Sequence, residues 1–204
     1  SSKIIKIKTD EILNFISKKK FLQSNTGSSH QLFVNCSVSL TGGIIIFFPT
    51  IYFFGEYQKF MIINYFLILL LGIMSDLNIV SSSKKRFFLQ FLLVSLFVIV
   101  SQLEVLPTRI TLIDNYFQGS IFSYLFTIFC FLVLINGSNF IDGLNGLLLS
   151  YVMIIFFYLF QLDLIGSIIQ NNSNFLYLVF ILIFVLLLNF NNKLFLGDGG
   201  SYSL

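Results

Sequence analysis

Six long apolar runs, each bounded by charge, Asn or Gly, constrain this chain more than any other feature. They fall at about Leu40 to Phe54, Phe60 to Met74, Phe87 to Leu103, Ile121 to Ile135, Leu147 to Leu162 and Phe175 to Phe190. A helix needs about 20 apolar residues to cross roughly 30 Å of hydrocarbon. Backbone polar groups in lipid must be satisfied within their own segment, so each run is expected to be a helix. The first run is short and holds Pro49, which leaves five spans with a sixth beside them. The expected fold is an all-α, polytopic transmembrane helix bundle of five to six spans over residues 40–204. It is preceded by a basic segment, residues 1–39, that is neither signal peptide nor span.

Composition excludes the soluble alternative. Hydrophobic residues make up 56% of the chain and charged residues 10%, with a mean hydropathy of +0.91, whereas a soluble domain carries about 25% charged residues. The 27 Phe and absent Trp read as compositional bias. Cys36 and Cys130 lie far apart and make neither a metal site nor a disulfide framework. The lone His30 reads as a loop residue, and no nucleic-acid partner is expected. The chain opens on Ser1 and stops at Leu204, directly after a Gly-rich motif, which reads as a piece of a longer protein.

Lysine and arginine in the loops set the orientation of a multi-pass chain. With the N-terminus inside, Lys3, Lys6, Lys8, Lys18, Lys19, Lys20, Lys84, Lys85, Arg86 and Lys193 are cytoplasmic, and only Lys59 and Arg109 are external. The same assignment brings three polar loops to the cytoplasmic face: Ser75 to Arg86, Asn136 to Gly146, and Asn191 to Ser201. None of their motifs was used to obtain it.

These loops carry Asp76 in GIMSDLNIVSSSKKR, Asp142 in NGSNFIDGLNGL, and Asp198 in FLGDGGSYSL. Any one of them reads as a solvated helix-end residue. Three, together with Asn136, Asn139 and Asn145, read as a site, because ionisable groups at a span end are expensive. Carboxylate and amide oxygens are hard ligands suited to a magnesium ion that shares its shell with substrate phosphates. Glycines at 143–146 and 197–200 would let backbone N–H groups approach a pyrophosphate, and Lys84, Lys85 and Arg86 supply positive charge beside Asp76.

Asn136 to Leu147 resembles the NxxNxxDGxDGL signature, and Phe195 to Ser201 the FxGDxGS signature, of the polyprenyl-phosphate N-acetylhexosamine 1-phosphate transferases, glycosyltransferase family 4. Gly72 to Asp76 resembles the family's GxxDD, Lys84 to Gln90 the basic stretch that follows it, and His30-Gln31 with Leu40 to Gly43 its HQ and PLxGG elements. The resemblance covers residues 25–204, with order and spacing retained. Ser75 stands where the family has the first Asp of its pair, and Asn145 where it has the second Asp of DGxDG. The family's first span and its last spans, with a basic His-containing loop, have no counterpart here.

The resemblance implies a magnesium-dependent phosphotransferase of the plasma membrane, working at the cytoplasmic face in cell-wall or surface-polysaccharide synthesis. Its substrates would be a UDP-N-acetylhexosamine and a polyprenyl phosphate, and a homodimer is compatible with it. By resemblance, Asp76 and Asp142 are catalytic, and Asn139 and Asp198 hold the metal. Lys84, Lys85, Arg86, Asn136, Asn145, Gly199 and Ser201 bind substrate. Asp198 is expected on the solvent side, contributing little to stability. Two other readings stand beside this one: a transporter or channel subunit, which would place polar residues at span centres, and a degenerate paralogue that binds nucleotide sugar without turnover.

Overall fold

All six apolar runs coincide with helices. The computed structural model describes residues 38–54, 59–103, 105, 108–117, 121–161 and 174–204. His30, Cys36 and the N-terminal lysines fall outside the described residues. In chain order the helices are α1 (Gly42–Phe54), α2 (Lys59–Asp76), α3 (Ser83–Val100), α4 (Thr111–Phe117), α5 (Ile121–Ile141), α6 (Leu147–Gln161), α7 (Asn174–Phe190) and α8 (Gly197–Ser203). No strand forms among the described residues; Ser39 and Leu194 make an isolated parallel bridge.

α2 and α5 are long and apolar enough to cross a membrane. α3 also has 18 residues, but Lys84, Lys85 and Arg86 fill its first turn. Cations there oppose the helix dipole by about 0.3–1 kcal/mol each where exposed, so a partner for one of them offsets a real cost. α1 runs through Pro49, and the next residue, Thr50, donates its hydroxyl to the Ile46 carbonyl at 2.8 Å. Large apolar side chains stand outward along the bundle, Phe140 at 88% and Ile121 at 78% exposure among them. A soluble monomer rarely presents contiguous apolar surface on that scale.

Inward faces follow helical stride. Val94 and Val98 of α3 and Ile68 of α2 pack with Ile128, Leu132 and Ile135 of α5. Leu178, Leu182 and Val185 of α7 pack with Ile46 of α1 and with Leu148 and Leu149 of α6. The short α8 joins the two cores, because Leu196 at its start belongs to the second and Tyr202 near its end to the first. Glycine makes that insertion possible. A Cβ on Gly72 would lie 2.4 Å from the Gly199 Cα, and one on Gly43 would lie 2.4 Å from the Gly200 Cα. Backbones meeting so closely gain packing contacts that helices in lipid cannot obtain from hydrophobic burial. The GDGG stretch is therefore held between α1 and α2, at the end where α2 and α5 finish and α3 and α6 begin.

Candidate active site

α8 brings the motifs together. At its N-terminus the Asp198 N–H donates to Asp76 Oδ1 at 2.9 Å, and the Gly199 N–H donates to Asp76 Oδ2 at 3.2 Å. Asp76, the last residue of α2, thus supplies the capping acceptor that a helix start requires. The glycine-bearing motif was expected to offer these N–H groups to a pyrophosphate; two of them are instead committed to Asp76.

The Asp198 side chain turns back into the bundle. Its Oδ2 accepts from Ser75 Oγ at 2.5 Å and from Arg86 Nη1 at 2.8 Å, and Arg86 Nη1 also reaches Ser75 Oγ at 2.7 Å. Tyr202 Oη lies 3.4 Å from the same oxygen. Burial first, and then the Asp198 charge, push the Tyr202 phenol up to about 12, so it stays a neutral donor. Asp198 is 7% exposed. The expected solvent-side carboxylate is in fact largely buried and paired, because α8 packs backbone to backbone against α2.

Asn139, at the end of α5, accepts from Ser201 Oγ at 2.9 Å, and Ser201 Oγ also lies 3.2 Å from the Asp198 carbonyl. Ser138 donates to the Ser201 carbonyl at 2.7 Å. Asp142 follows one turn later. Its carboxylate receives no hydrogen bond among the described residues and keeps partial exposure. Burial first, then the negative charges of Asp198 and Asp76, raise its pKa to about 8.

The remaining sequence-predicted residues divide. Arg86 and Gly199 join the cluster, whereas Lys84 and Lys85 are exposed. Asn136 donates to Gln90 Oε1 at 3.1 Å and to the Leu132 carbonyl at 2.8 Å. Asn145 donates to Asn192 Oδ1. Gln90, Ser138, Asn189 and Asn192 join these networks without being singled out by a sequence motif. Gln90 at least had a signal: with Arg86, Val94 and Val98 it forms an i, i+4 stripe along α3, and Gln90, Val94 and Val98 are at most 1% exposed.

The donor set suits a hard cation. Among the described residues, no three His, Cys, Asp or Glu side chains converge closely enough to hold a metal by themselves. Magnesium asks for less, since one or two carboxylates, waters and substrate phosphates complete its shell. Asp142, which receives no hydrogen bond among the described residues and whose pKa is raised by the charges of Asp198 and Asp76, is the kind of ligand a divalent cation would neutralise.

The family model described as "Glycosyl transferase family 4" matches residues 59–204, which takes in every helix from α2 to α8. The chain belongs to this family. Glycosyl transferase family 4 comprises glycosyl-phosphate transferases, so the chain is a member of a transferase family whose substrates are a nucleotide sugar and a polyprenyl phosphate, and which is typically membrane-bound. Every residue of the α2 and α8 constellation lies inside the matched region. No curated protein and no solved structure matches the chain.

Proposed function

We propose that this chain transfers a sugar 1-phosphate from a UDP-N-acetylhexosamine to a polyprenyl phosphate at the cytoplasmic face of the plasma membrane, in cell-wall or surface-polysaccharide synthesis. An acceptor phosphate oxygen attacks the β-phosphorus, the bond to UMP breaks, and the products are polyprenyl-pyrophosphoryl sugar and UMP. The chain would cross the membrane five or six times, with the motif loops inside.

One observation carries the proposal. Asp76 and Asp198, from two separate sequence motifs, are joined where the helices end, with Asp198 paired to Arg86, and Asp142 of a third motif feels the charge of both. A solvated cap needs no such gathering, and phosphoryl transfer between two anions does. Phosphoryl transfer is catalysed mainly by positioning and charge stabilisation. Asp198 and Asn139 would hold magnesium, with Asp142 at the nucleotide-sugar side of it. The metal would supply charge neutralisation at the transferring phosphate. Asp76 would act at the acceptor end by fixing the start of α8, while Arg86 holds Asp198 in place. Lys84 and Lys85, exposed at the first turn of α3, remain available to an acceptor phosphate.

A second reading rests on Ser75. A family carboxylate is missing there, and the Arg86 charge is spent on Asp198, an arrangement that would also suit a binder without turnover. The two readings part on UMP release by the full-length protein in detergent, with magnesium, UDP-sugar and polyprenyl phosphate. Release that is lost on Asp198→Ala supports the enzyme. Nucleotide-sugar binding without any release supports the binder.

A further inference from the structure

Asn189 is the penultimate residue of α7 and is 2% exposed. Phe175, Leu178, Leu182 and Val185 form the buried stripe of the same helix, and Asn189 continues that stripe by one more four-residue step. A fully covered amide on an apolar stripe must find partners for both of its ends. Its Oδ1 accepts from the Gly146 N–H at 2.5 Å, and its Nδ2 donates to the Leu194 carbonyl at 3.0 Å.

These two partners belong to different motifs. Gly146 closes the turn that follows Asp142 and has φ of +76°, which only glycine adopts at low cost. A Cβ there would lie 2.4 Å from the Phe190 ring, so neighbouring side chains of α7 seat this turn from two directions. Leu194 is fully buried and lies four residues before Asp198, in the stretch anchored to Ser39 by the Phe195 N–H at 2.9 Å. The neighbouring Asn145–Asn192 bond joins the same two loops nearer the surface.

We infer that Asn189 is a positioning residue whose amide staples the Asp142 turn to the strand-like segment leading into Asp198, and thereby sets the spacing of those two carboxylates. It touches neither carboxylate and acts through Gly146 and Leu194. The inference rests on the transferase reading for its effect on rate, but its structural half is independent of that reading.

Aspartate at this position can still accept from Gly146 but sets an oxygen against the Leu194 carbonyl, and protonation of the new carboxyl restores a donor. Leucine offers neither group. The test uses the full-length protein in detergent, comparing wild type with Asn189→Asp and Asn189→Leu. Hydrogen exchange is followed over residues 143–150 and 191–197 without substrate or metal, and UMP release is followed from pH 5.5 to 7.5. In Asn189→Leu both segments should exchange faster, and the rate should fall on the order of a hundredfold, as when reacting groups are displaced by about 1 Å. In Asn189→Asp the rate relative to wild type should climb as pH falls, a recovery that general destabilisation would not produce. Unchanged exchange in both segments, or an Asn189→Asp ratio flat with pH, overturns the inference. If Asn189→Leu does not fold, the aspartate variant decides alone. Faster exchange with a wild type that releases no UMP upholds the staple and removes the transferase reading.

Discussion

The Ser75 hydroxyl donates to Asp198 across 122 intervening residues, and both side chains share the same Arg86 nitrogen. The residue that departs most from the family pattern is thus at the centre of the constellation and is 7% exposed. A neutral donor here leaves Asp198 as the sole carboxylate on the Arg86 guanidinium. Phosphate monoesters have a second pKa of about 6, so the acceptor is already largely dianionic and needs little help from a base. Ser75→Asp should therefore change UMP release by less than about tenfold, because Arg86 can serve two carboxylates. A silent wild type that Ser75→Asp switches on would establish the degenerate reading instead.

Asp76 should behave as a structural and catalytic residue together. Removing a capping acceptor costs about 0.5–2 kcal/mol, and here two N–H groups lose their partner at once. Asp76→Ala should lower the thermal unfolding midpoint in detergent and reduce UMP release on the order of a hundredfold, as loss of a preorganised electrostatic group does. Asp76→Asn keeps one acceptor oxygen and should recover most of the stability. Equal midpoints for wild type and Asp76→Ala would refute the capping role.

Much of this was legible in the chain. The apolar runs at 60–74 and 121–135 became α2 and α5, and two of the three motif aspartates, Asp76 and Asp198, meet where α2 ends and α8 begins. What escaped was partnership at long separation. In the sequence Ser75 marks only a missing carboxylate, whereas its role depends on the depth of α8 between α1 and α2. That depth is set by Gly43, Gly72, Gly199 and Gly200 meeting backbone to backbone, and no single motif contains all four. Asn189 looked like one of several Asn after an apolar run. Only its place on the Leu178, Leu182, Val185 stride distinguishes it from Asn191, which is exposed just past α7 and bonds back to the Leu187 carbonyl.

The basic triplet at the start of α3 should separate by residue. Arg86 pairs with a buried carboxylate at 2.8 Å while keeping 26% of its side chain exposed. Breaking a fully buried pair costs about 3–5 kcal/mol, and the exposure of Arg86 should reduce this to about 1–3 kcal/mol. Arg86→Ala should unfold measurably earlier and lose activity, whereas Lys84→Ala and Lys85→Ala should stay within about 0.5 kcal/mol of wild type. If the lysines meet the acceptor phosphate, their variants should raise KM for the polyprenyl phosphate with kcat little changed. Destabilisation by Lys84→Ala comparable to that of Arg86→Ala would contradict this division.

Sidedness can be read by cysteine labelling in a Cys36→Ser, Cys130→Ser background. Ser81 and Asn191 are exposed beside the site, and Leu112, beyond the far end of α3, is 74% exposed. Ser81→Cys and Asn191→Cys should react with a membrane-impermeant reagent only after the cells are opened, and Leu112→Cys should react in intact cells. Reaction of Asn191→Cys in intact cells would invert the proposed orientation.

Asp142 supplies a pH signature. Its carboxyl is raised to about 8 by burial and by the charges of Asp198 and Asp76, against about 4 in an unfolded chain. Between those values the folded state binds more protons than the unfolded one, so this residue makes stability fall as pH rises from about 4 to about 8, and level off above. Asp142→Asn removes the titration. In metal-free detergent solution it should match wild type near pH 4 and unfold at a higher temperature than wild type at pH 8. Magnesium should then raise the wild-type midpoint at pH 8 more than at pH 5, because a cation and a proton compete for the same carboxylate, and should do much less for Asp142→Asn. An asparagine variant less stable than wild type at pH 8, or a magnesium effect independent of both pH and the substitution, would show that Asp142 is not part of the charged cluster.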